Sequence, residues 1–317
     1  GFATSVIACD CEAGIESFIV ADDSPDGRPG TAVMVYGFSR GKLSSSMLNR
    51  LGQCVLTCPT TAVYNGLPEE SADEMLDIGK SVRFFGDGYQ VKMRMGDGWQ
   101  QRQRFWRIPV MQGEFLIEEK IGAKKAVAGG NFLVMGDTEE NTLKAAEASI
   151  EAIKTVPGVI TPFPGGLCRS GSKVGSTYSF LKASTNTPFC PSIKNSFKES
   201  KIPEGVNSVI EVVLNGLDES SVMRAMGLGI DSATKVEGVK SITAVNFDGK
   251  LGKFKMSLRK SLEGINNVRQ EASIQRHASN ARTAPHKASL YVALFKRPVP
   301  APSFDHRPPV MNARPSA

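Results

Sequence analysis

Histidine is missing from the first 263 residues of this 317-residue chain, because His277, His286 and His306 all lie further on. A Ser-His-Asp triad, a Cys-His nucleophile pair and a His-ligated zinc site each need an imidazole held by a packed scaffold. All three kinds of site are therefore excluded from the main body of the chain. Chemistry there must depend on carboxylates, hydroxyls, amides, lysines or thiols.

Long hydrophobic runs are also missing. No stretch approaches the roughly 20 consecutive apolar residues that cross a bilayer, and the amino terminus lacks the basic start and apolar run of a signal peptide. We therefore expect a cytoplasmic protein with no membrane partner. The chain starts at Gly1, without an initiator methionine, just before an apolar run over residues 3–9, which predicts a first domain that lacks its beginning.

The main body has no surplus of charge of either sign. Residues 264–317 contain eight Lys or Arg and two acidic residues, so the net charge of +6 belongs to this tail and residues 1–263 are neutral on balance. A neutral body excludes a broad basic surface for nucleic acid. Seven of the 18 prolines lie in the tail, which we expect to be disordered, with a basic nucleic-acid-binding arm as the alternative.

Cysteines are few, and they do not need to be disulfide-bonded in a chain of this length. Cys9 and Cys11 have C-x-C spacing, and Cys54 and Cys58 have C-x-x-x-C spacing, which could assemble a thiolate metal site. Neither pair has the C-x-x-C spacing of a zinc ribbon, and free cysteines commonly fill small apolar spaces. We therefore expect packing thiols and no metal site.

Short segments rich in Val, Ile and Phe predict strands, since Gly, Pro and Asp clusters bound them. The candidate strands are residues 3–9, 31–38, 82–85, 104–110 and 131–135. An amphipathic pattern predicts a helix over residues 42–51, with Gly52 as its stop.

An internal repeat with a period of 80 residues is the strongest indication of the fold. Each copy has an apolar strand, a helix and a Val-x-Gly-Val turn, at residues 131–159 and again at residues 207–247. Asp137 or Thr138 can cap the first helix, and Asp218 can cap the second. A strand–helix–strand unit needs a second one to complete its sheet, which predicts lobes of split βαβ type. The predicted parts are a first lobe over residues 1–130, a second lobe over residues 131–263 and the tail over residues 264–317.

Four segments dense in glycine, proline and small hydroxyl residues are candidate substrate loops. They are residues 52–66, 84–88, 161–173 and 246–253. The second and the fourth can also be plain turns. The third has the glycine spacing of a phosphate loop, but Ser172 separates Gly171 from Lys173 and no amphipathic helix follows, so nucleotide binding is not expected. Its consecutive glycines still allow a small polar ligand to approach backbone amides.

One carboxylate, Glu211, interrupts the apolar run of residues 209–214. Strand alternation places it on the same face as Val209 and Val213. An ionised carboxylate is costly to bury there, and desolvation would raise its pKa and suit it to act as a neutral hydrogen-bond donor or general acid. A glutamate on an edge strand, facing water, is the alternative.

Seven separated motifs together carry a resemblance to a known family. They are GQCVLTCPTTAVYNGLPE, RFFGDG, GGNFLVMGD, TPFPGG, SGSK, FCPS and GKLGK. Over residues 1–262 the chain resembles the formylmethanofuran:tetrahydromethanopterin formyltransferases, and residues 8–12 and 169–176 are similar to bacterial methylotroph-type members. The resemblance implies an α+β fold with two ferredoxin-like (split βαβ) lobes, the first truncated at its amino terminus. It also implies a homotetramer with active sites at subunit contacts.

The activity implied by the resemblance is transfer of a formyl group between methanofuran, or a bacterial analogue, and N5 of tetrahydromethanopterin. Such a transfer passes through a tetrahedral oxyanion, so it needs positioning, hydrogen-bond donors and proton transfer. The implied substrates are these two one-carbon carriers, with no tightly bound cofactor and no metal. Further implied partners are the other subunits of a formyltransferase/hydrolase complex. A noncatalytic assembly subunit or inactive paralogue is the alternative, because Asp248 stands in a loop where members usually carry Asn-Tyr-Gly-Gly.

By the same resemblance, Glu211 is the buried acid near the formyl carbon. The loops implied to bind substrate contain Gln53, Thr60, Thr61, Phe163, Pro164, Gly165, Gly166, Ser170, Ser172 and Lys173. Lys173 would meet a carboxylate or phosphate of a substrate, or else it is a solvated surface lysine.

Overall fold

The computed structural model describes residues 1–6, 9–95, 103–181, 183–245 and 256–263, and the backbone of residues 287–296; the side chains of residues 95, 172 and 174 are outside this description. Its strands are β1 (Cys11–Ile19), β2 (Gly30–Gly37), β3 (Thr61–Asn65), β4 (Glu74–Leu76), β5 (Val91–Met95), β6 (Gln103–Val110), β7 (Gly113–Glu118), β8 (Ile121–Gly136), β9 (Val159–Ile160), β10 (Leu167–Cys168), β11 (Ser172–Val174), β12 (Ala183–Thr185), β13 (Ser208–Gly216), β14 (Val239–Thr243) and β15 (Lys287–Lys296). Its α-helices are α1 (Arg40–Arg50), α2 (Ile78–Val82), α3 (Glu139–Ile153) and α4 (Glu219–Ala233). None of the described helices is long and apolar enough to cross a membrane.

The second lobe is a ferredoxin-like unit built on the 80-residue repeat. Its antiparallel strands lie in the order β14, β8, β13, β9, so the two long strands pair at the centre. Gly136 of β8 pairs with Val239, and Gly216 of β13 pairs with Val159. The two glycines are 80 residues apart in the sequence, and so are the two valines. The repeat predicted from the sequence is confirmed, and it creates a local two-fold symmetry about the centre of the sheet.

Helices α3 and α4 cover one face of this sheet. Thr138 and Asp218 cap them as the sequence predicts, since their side chains accept hydrogen bonds from the backbone N–H groups three residues on. Close packing between the helices depends on Gly229, where a Cβ would lie 3.0 Å from Ile153. Ser149 Oγ also donates to the Gly229 carbonyl across 2.8 Å, which satisfies a buried hydroxyl.

The opposite face of the sheet is covered by the connection between β9 and β13. This connection contains β10, the β11–β12 hairpin and short 3₁₀ turns. Phe189 and Val206 from it pack on Leu133 and Met135 of β8. Side chains on this face of β13, including Glu211, are therefore enclosed by loops rather than by helices.

The first lobe has the same ferredoxin-like strand order, but one of its strands, β15, comes from a distant part of the sequence. Its strands lie in the order β3, β15, β2, β1, and β15 pairs antiparallel with both β2 and β3. The two-lobe α+β fold is thus confirmed. Residues 264–317 were expected to be disordered, and this is wrong for the ten residues of β15; a paired central strand fixes its backbone hydrogen bonds. The remainder of the tail lies outside the described residues.

Three local predictions in the first lobe are also wrong. Residues 3–6 and residue 9 are not in a strand, and β1 begins only at Cys11. Residues 82–85 end a helix and enter a 3₁₀ turn, because a short apolar run does not distinguish strand from helix. Gly52 does not stop the predicted helix, since a π-helical turn continues α1 to Val55. The strands predicted over residues 31–38, 104–110 and 131–135 are confirmed.

Strand β8 joins the two lobes. Residues 121–126 pair with β4 and β15 of the first lobe, and residues 127–136 pair with β13 and β14 of the second. The passage between the sheets coincides with Gly129, whose φ of +84° bends the strand. The sequence-based boundary at residue 130 therefore falls inside a continuous strand.

Candidate functional site

Glu211 lies on an interior strand of the second lobe. Strand β13 is flanked by β8 on one side and by β10 on the other, with Glu211 opposite Leu133 and Cys168. The alternative of an edge-strand glutamate facing water is therefore wrong. Its carboxyl group is partly buried on the loop-covered face, and this burial raises the pKa of Glu211 above its usual value.

A single side chain holds one oxygen of this carboxyl group. Asn131 Nδ2 donates to Glu211 Oε1 at 2.9 Å, from the neighbouring strand β8. The bond stabilises the ionised form and lowers the pKa of Glu211, although the effect of burial is larger. Glu211 Oε2 receives no hydrogen bond from the described residues, which leaves it available to a ligand.

Gly171 forms the wall beside that second oxygen. Its φ is +45°, and a Cβ placed on it would lie 3.3 Å from Glu211 Oε2 and 3.7 Å from Asn186 Cβ. Glycine is required here both by the left-handed backbone and by the close approach. Asn186 is 5% exposed, and its Oδ1 is buried without a hydrogen-bond partner in the described part of the chain.

Lys173 lies on the same connection. Its Nζ donates to the Thr187 hydroxyl at 2.8 Å, and its side chain is only partly exposed. The described residues place no carboxylate within salt-bridge distance of it. An ammonium group that donates to a neutral hydroxyl keeps its charge and can still bind an anionic group of a ligand. A substrate contact of Lys173 stays a prediction.

The loop of residues 163–166 leads directly into β10. Gly165 and Gly166 have φ values of +66° and +79°, and the Gly166 amide donates to the Phe163 carbonyl at 2.7 Å. A Cβ on Gly166 would lie 2.6 Å from Ile150 of α3. Pro164 and Gly165 are exposed, so this loop presents a rigid turn at one end of the strand that faces Glu211.

Two further predicted residues, Ser170 and Ser172, lie on the same connection. Ser170 is exposed, and its Oγ lies 3.7 Å from Cys168 Sγ. Ser172 lies in β11, but its side chain is outside the described part of the chain. The loop of residues 246–250 and the following residues 251–255 also lie outside it.

The first-lobe candidates form a separate group. Thr60 has a φ of +65°, its N–H donates to Gln112 Oε1, and its carbonyl accepts from Arg28 Nη1 at 2.6 Å. The Thr61 hydroxyl is used inside the protein, since it lies 2.7 Å from the Val55 carbonyl and 3.0 Å from the Cys58 carbonyl. Gln53 is exposed. No contact among the described residues joins Gln53, Thr60 or Thr61 to Glu211.

The structure therefore places Ser170, Lys173 and the turn of residues 163–166 on the connection that covers Glu211. It adds Asn131, Gly171 and Asn186, which were not selected from the sequence. Asn131 could have been found from the repeat, because it stands 80 residues before Glu211. Asn186 has no comparable signal. The described residues contain no group of three or more His, Cys, Asp or Glu placed to hold a metal ion.

Together these features define a two-lobed α+β protein with a partly buried carboxyl group beneath glycine-rich loops. A family model described as formylmethanofuran-tetrahydromethanopterin formyltransferase matches residues 1–110, and one described as the proximal lobe of FTR matches residues 113–261. The chain belongs to the formylmethanofuran-tetrahydromethanopterin formyltransferase family.

Relatives of that name support the same assignment. The chain is 50% identical to the enzyme of Methanocaldococcus jannaschii over 266 residues, covering 83% of this chain and 86% of the relative. It is 47% identical to that of Methylococcus capsulatus, covering 82% of this chain and 85% of the relative. These identities do not test the similarity to bacterial members, which stays a prediction.

Two solved structures share the fold. The formyltransferase from Methanosarcina barkeri gives a TM-score of 0.75 at 48% identity, covering 82% of this chain and 86% of that one. The formyltransferase/hydrolase complex from Methylorubrum extorquens, in complex with methylofuran, gives a TM-score of 0.77 at 42% identity, covering 83% and 85%.

Proposed function

We propose that this chain transfers a formyl group between formylmethanofuran, or an analogue of it, and N5 of tetrahydromethanopterin, with Glu211 as the proton donor. The observation that carries the proposal is a carboxyl group whose pKa is raised by burial, on an interior strand and beneath rigid glycine-rich turns. Membership of the formyltransferase family supplies the reaction. A protein that served assembly alone would have no need for such a carboxyl group.

The proposed reaction needs one acid, Glu211, which is protonated at the start of the cycle and again at its end. The N5 lone pair adds to the formyl carbon, and the carbonyl oxygen becomes an oxyanion. The protonated Glu211 gives its proton to the methanofuran nitrogen as the C–N bond to that nitrogen breaks. The N5 proton then returns the carboxylate to its acid form. A raised pKa favours this cycle because the carboxyl group must be protonated near neutral pH.

Lys173 and the loops of residues 163–166 and 168–171 would position the carriers. The Lys173 ammonium, held by the Thr187 hydroxyl, is suited to a carboxylate or phosphate of a carrier. Gln53, Thr60 and Thr61 lie in the first lobe and would reach the same substrates only if the cleft includes that lobe of this or another subunit. A homotetramer provides such an arrangement and stays a proposal.

The proposed function also includes partner subunits. The relative from Methylorubrum extorquens is part of a formyltransferase/hydrolase complex, and we propose that comparable subunits can bind this chain. The carriers are substrates, and no tightly bound cofactor is included in the proposal. A cytoplasmic location stays a prediction.

The test is formyl transfer by the full chain, with formylmethanofuran and tetrahydromethanopterin as substrates and the absorbance of the pterin as the signal. Glu211→Gln keeps a hydrogen-bond donor but cannot release a proton, so the rate should fall by about 10²-fold or more. Glu204→Gln removes an exposed carboxylate of the same lobe and should leave the rate unchanged. A folded Glu211→Gln variant as active as the native protein would refute the role of Glu211. A folded native protein without transfer activity would instead favour the assembly role.

A further inference from the structure

The carboxamide of Asn186 is enclosed without a partner. Asn186 is 5% exposed, and its Oδ1 is sealed from solvent with no hydrogen-bond donor among the described residues. Its Nδ2 donates to no acceptor in the described ranges either, and it is not sealed in the same way. Buried polar side chains almost always have partners, so an amide in this state indicates a group that binds something else.

The backbone of Asn186 is held firmly in place. Its N–H donates to the Gly171 carbonyl at 3.1 Å, and its own carbonyl accepts from the Phe189 amide at 2.9 Å and from Cys190 Sγ at 3.3 Å. These bonds fix the Cα position at the start of the 3₁₀ turn of residues 187–189. The unpartnered amide is thus a property of a rigid position rather than of a loose loop.

Gly171 places this amide next to the proposed acid. The Cβ of Asn186 and Oε2 of Glu211 both lie within 3.7 Å of the point where a Gly171 Cβ would be. Glu211 Oε1 is occupied by Asn131, whereas Oε2 has no partner among the described residues. The open oxygen of Glu211 and the Cβ that carries the Asn186 amide therefore both lie next to Gly171.

We propose that Asn186 is a catalytic residue that donates a hydrogen bond from Nδ2 to the formyl oxygen. This inference rests on the proposed formyl transfer and assigns its oxyanion donor. Glu211 handles the proton of the leaving nitrogen, while Asn186 keeps its own protons and stabilises the charge that develops on oxygen. The bond strengthens as the carbonyl becomes an oxyanion, so it lowers the barrier more than it improves substrate binding.

The absence of a protein acceptor in the described residues fits this role. A donor that is already hydrogen-bonded inside the protein would have to break that bond in order to meet the oxyanion. Among the described residues the Asn186 side chain has no such bond to break, and its backbone contacts fix its position next to Gly171. Prepositioned donors of this kind avoid reorganisation during the reaction.

The first test is Asn186→Leu in the full chain, assayed with formylmethanofuran and tetrahydromethanopterin. Leucine has nearly the shape of asparagine and lacks the donor, so kcat should fall by about 10²-fold with little change in KM. Its melting temperature should not fall, because no side-chain hydrogen bond to the described residues is lost. Asn195→Leu, at an exposed position of the same connection, is the matched control and should keep native activity.

The second test changes the substrate instead of the protein. Sulfur is a poor hydrogen-bond acceptor, so a thioformyl carrier should react more slowly than the formyl carrier with the native protein. The ratio of the two rates should shrink by about tenfold in Asn186→Leu, since the contact is already gone. Asn186→Asp keeps the size of the side chain and replaces the donor by a carboxylate, and it should lose at least as much kcat.

An unchanged kcat, a lowered melting temperature that accounts for the lost activity, or an oxygen-to-sulfur ratio equal in native and variant proteins would each overturn the role of Asn186. The proposed function would survive those results, because the native protein would still transfer the formyl group. If the native protein transfers none, the proposed function fails and this inference fails with it.

Discussion

Asn131 and Glu211 occupy the same position in the two halves of the internal repeat, 80 residues apart, and their side chains are hydrogen-bonded across 2.9 Å. The two-fold symmetry of the sheet explains the contact. Phe132 pairs with its own equivalent, Val212, so the residues next to this pair on the two strands face each other diagonally. One position of the repeat has thus become an acid in one copy and its supporting amide in the other.

Replacing Asn131 should shift the pH dependence of formyl transfer. Its bond to Glu211 lowers the pKa of that carboxyl group, so Asn131→Leu should raise it. In the proposed mechanism Glu211 acts in its protonated form, so activity should be lost as pH rises through its pKa. A higher pKa should therefore move this loss to higher pH. Asn131→Asp adds a like charge and should move it further. A pH profile of kcat measures this, and an unchanged alkaline limb in both variants would contradict it.

Gly171→Ala should impair both stability and transfer. A φ of +45° costs alanine about 1–2 kcal/mol, and the new Cβ would press on Glu211 Oε2. Gly175→Ala is the matched control, because Gly175 also has a positive φ but nothing within 4 Å of its Cβ position. Urea unfolding should show a loss in both variants, whereas only Gly171→Ala should lose transfer, by about tenfold. Equal activity in the two variants would argue against the close approach.

Glu118 should make the first lobe less stable as pH rises. It is 8% exposed, and burial raises its pKa to about 7, while its Oε2 accepts from the Asn65 amide at 2.7 Å. The folded state therefore holds a proton that the unfolded state releases near pH 4.5, and the free energy of unfolding falls between about pH 4.5 and 7.

The variant Glu118→Gln removes this titration and keeps an acceptor for the amide. Its stability relative to the native protein should increase by about 3 kcal/mol over that range. Urea unfolding at pH 5 and pH 8 measures the change. Glu70→Gln, at an exposed position, is the control and should show no such trend. A constant difference between Glu118→Gln and native protein would contradict the prediction.

Arg28 should be essential for the fold of the loop that carries Thr60. The guanidinium is buried and pairs with Asp26, and its Nη1 donates to the Thr60 carbonyl. Arg28→Ala leaves the Asp26 carboxylate unpaired and should cost about 3–5 kcal/mol. Adding Asp26→Asn should recover part of this loss, which denaturant unfolding of the single and double variants would measure. Additive losses would show that the two side chains are not coupled.

The second lobe was predictable because its signals are local and repeated. Thr138 and Asp218 are strong helix caps, and the Val-x-Gly-Val turns mark where each helix returns to the sheet. Glu211 was found because a charge in an apolar strand is conspicuous. Its partner Asn131 was not selected, although the predicted strand of residues 131–135 begins with it, because a neutral amide there gives no sign of a contact with Glu211.

The first lobe was harder to predict because its central strand comes from a distant part of the sequence. Strand β15 lies in a basic, proline-rich segment, and only its pairing with β2 and β3 makes it a strand. Short apolar runs such as residues 82–85 were ambiguous for a related reason: tertiary contacts decided between strand and helix. Asn186 illustrates the same limit at the proposed site, because only the structure shows that its side chain has no hydrogen-bond partner among the described residues.

Strand β8 has a consequence for movement. Strand β8 is hydrogen-bonded to strands of both lobes. One lobe therefore cannot rotate away from the other unless the strand pairing on one side of Gly129 is broken. Further bonds tie them, since Asn215 of the second lobe contacts Glu12 of the first at 2.7 Å and the Gly158 amide donates to Glu16 at 2.9 Å. If access to Glu211 changes during the proposed reaction, we therefore expect the change in the connection between β9 and β13, which covers this residue, and not in a rotation of one lobe against the other.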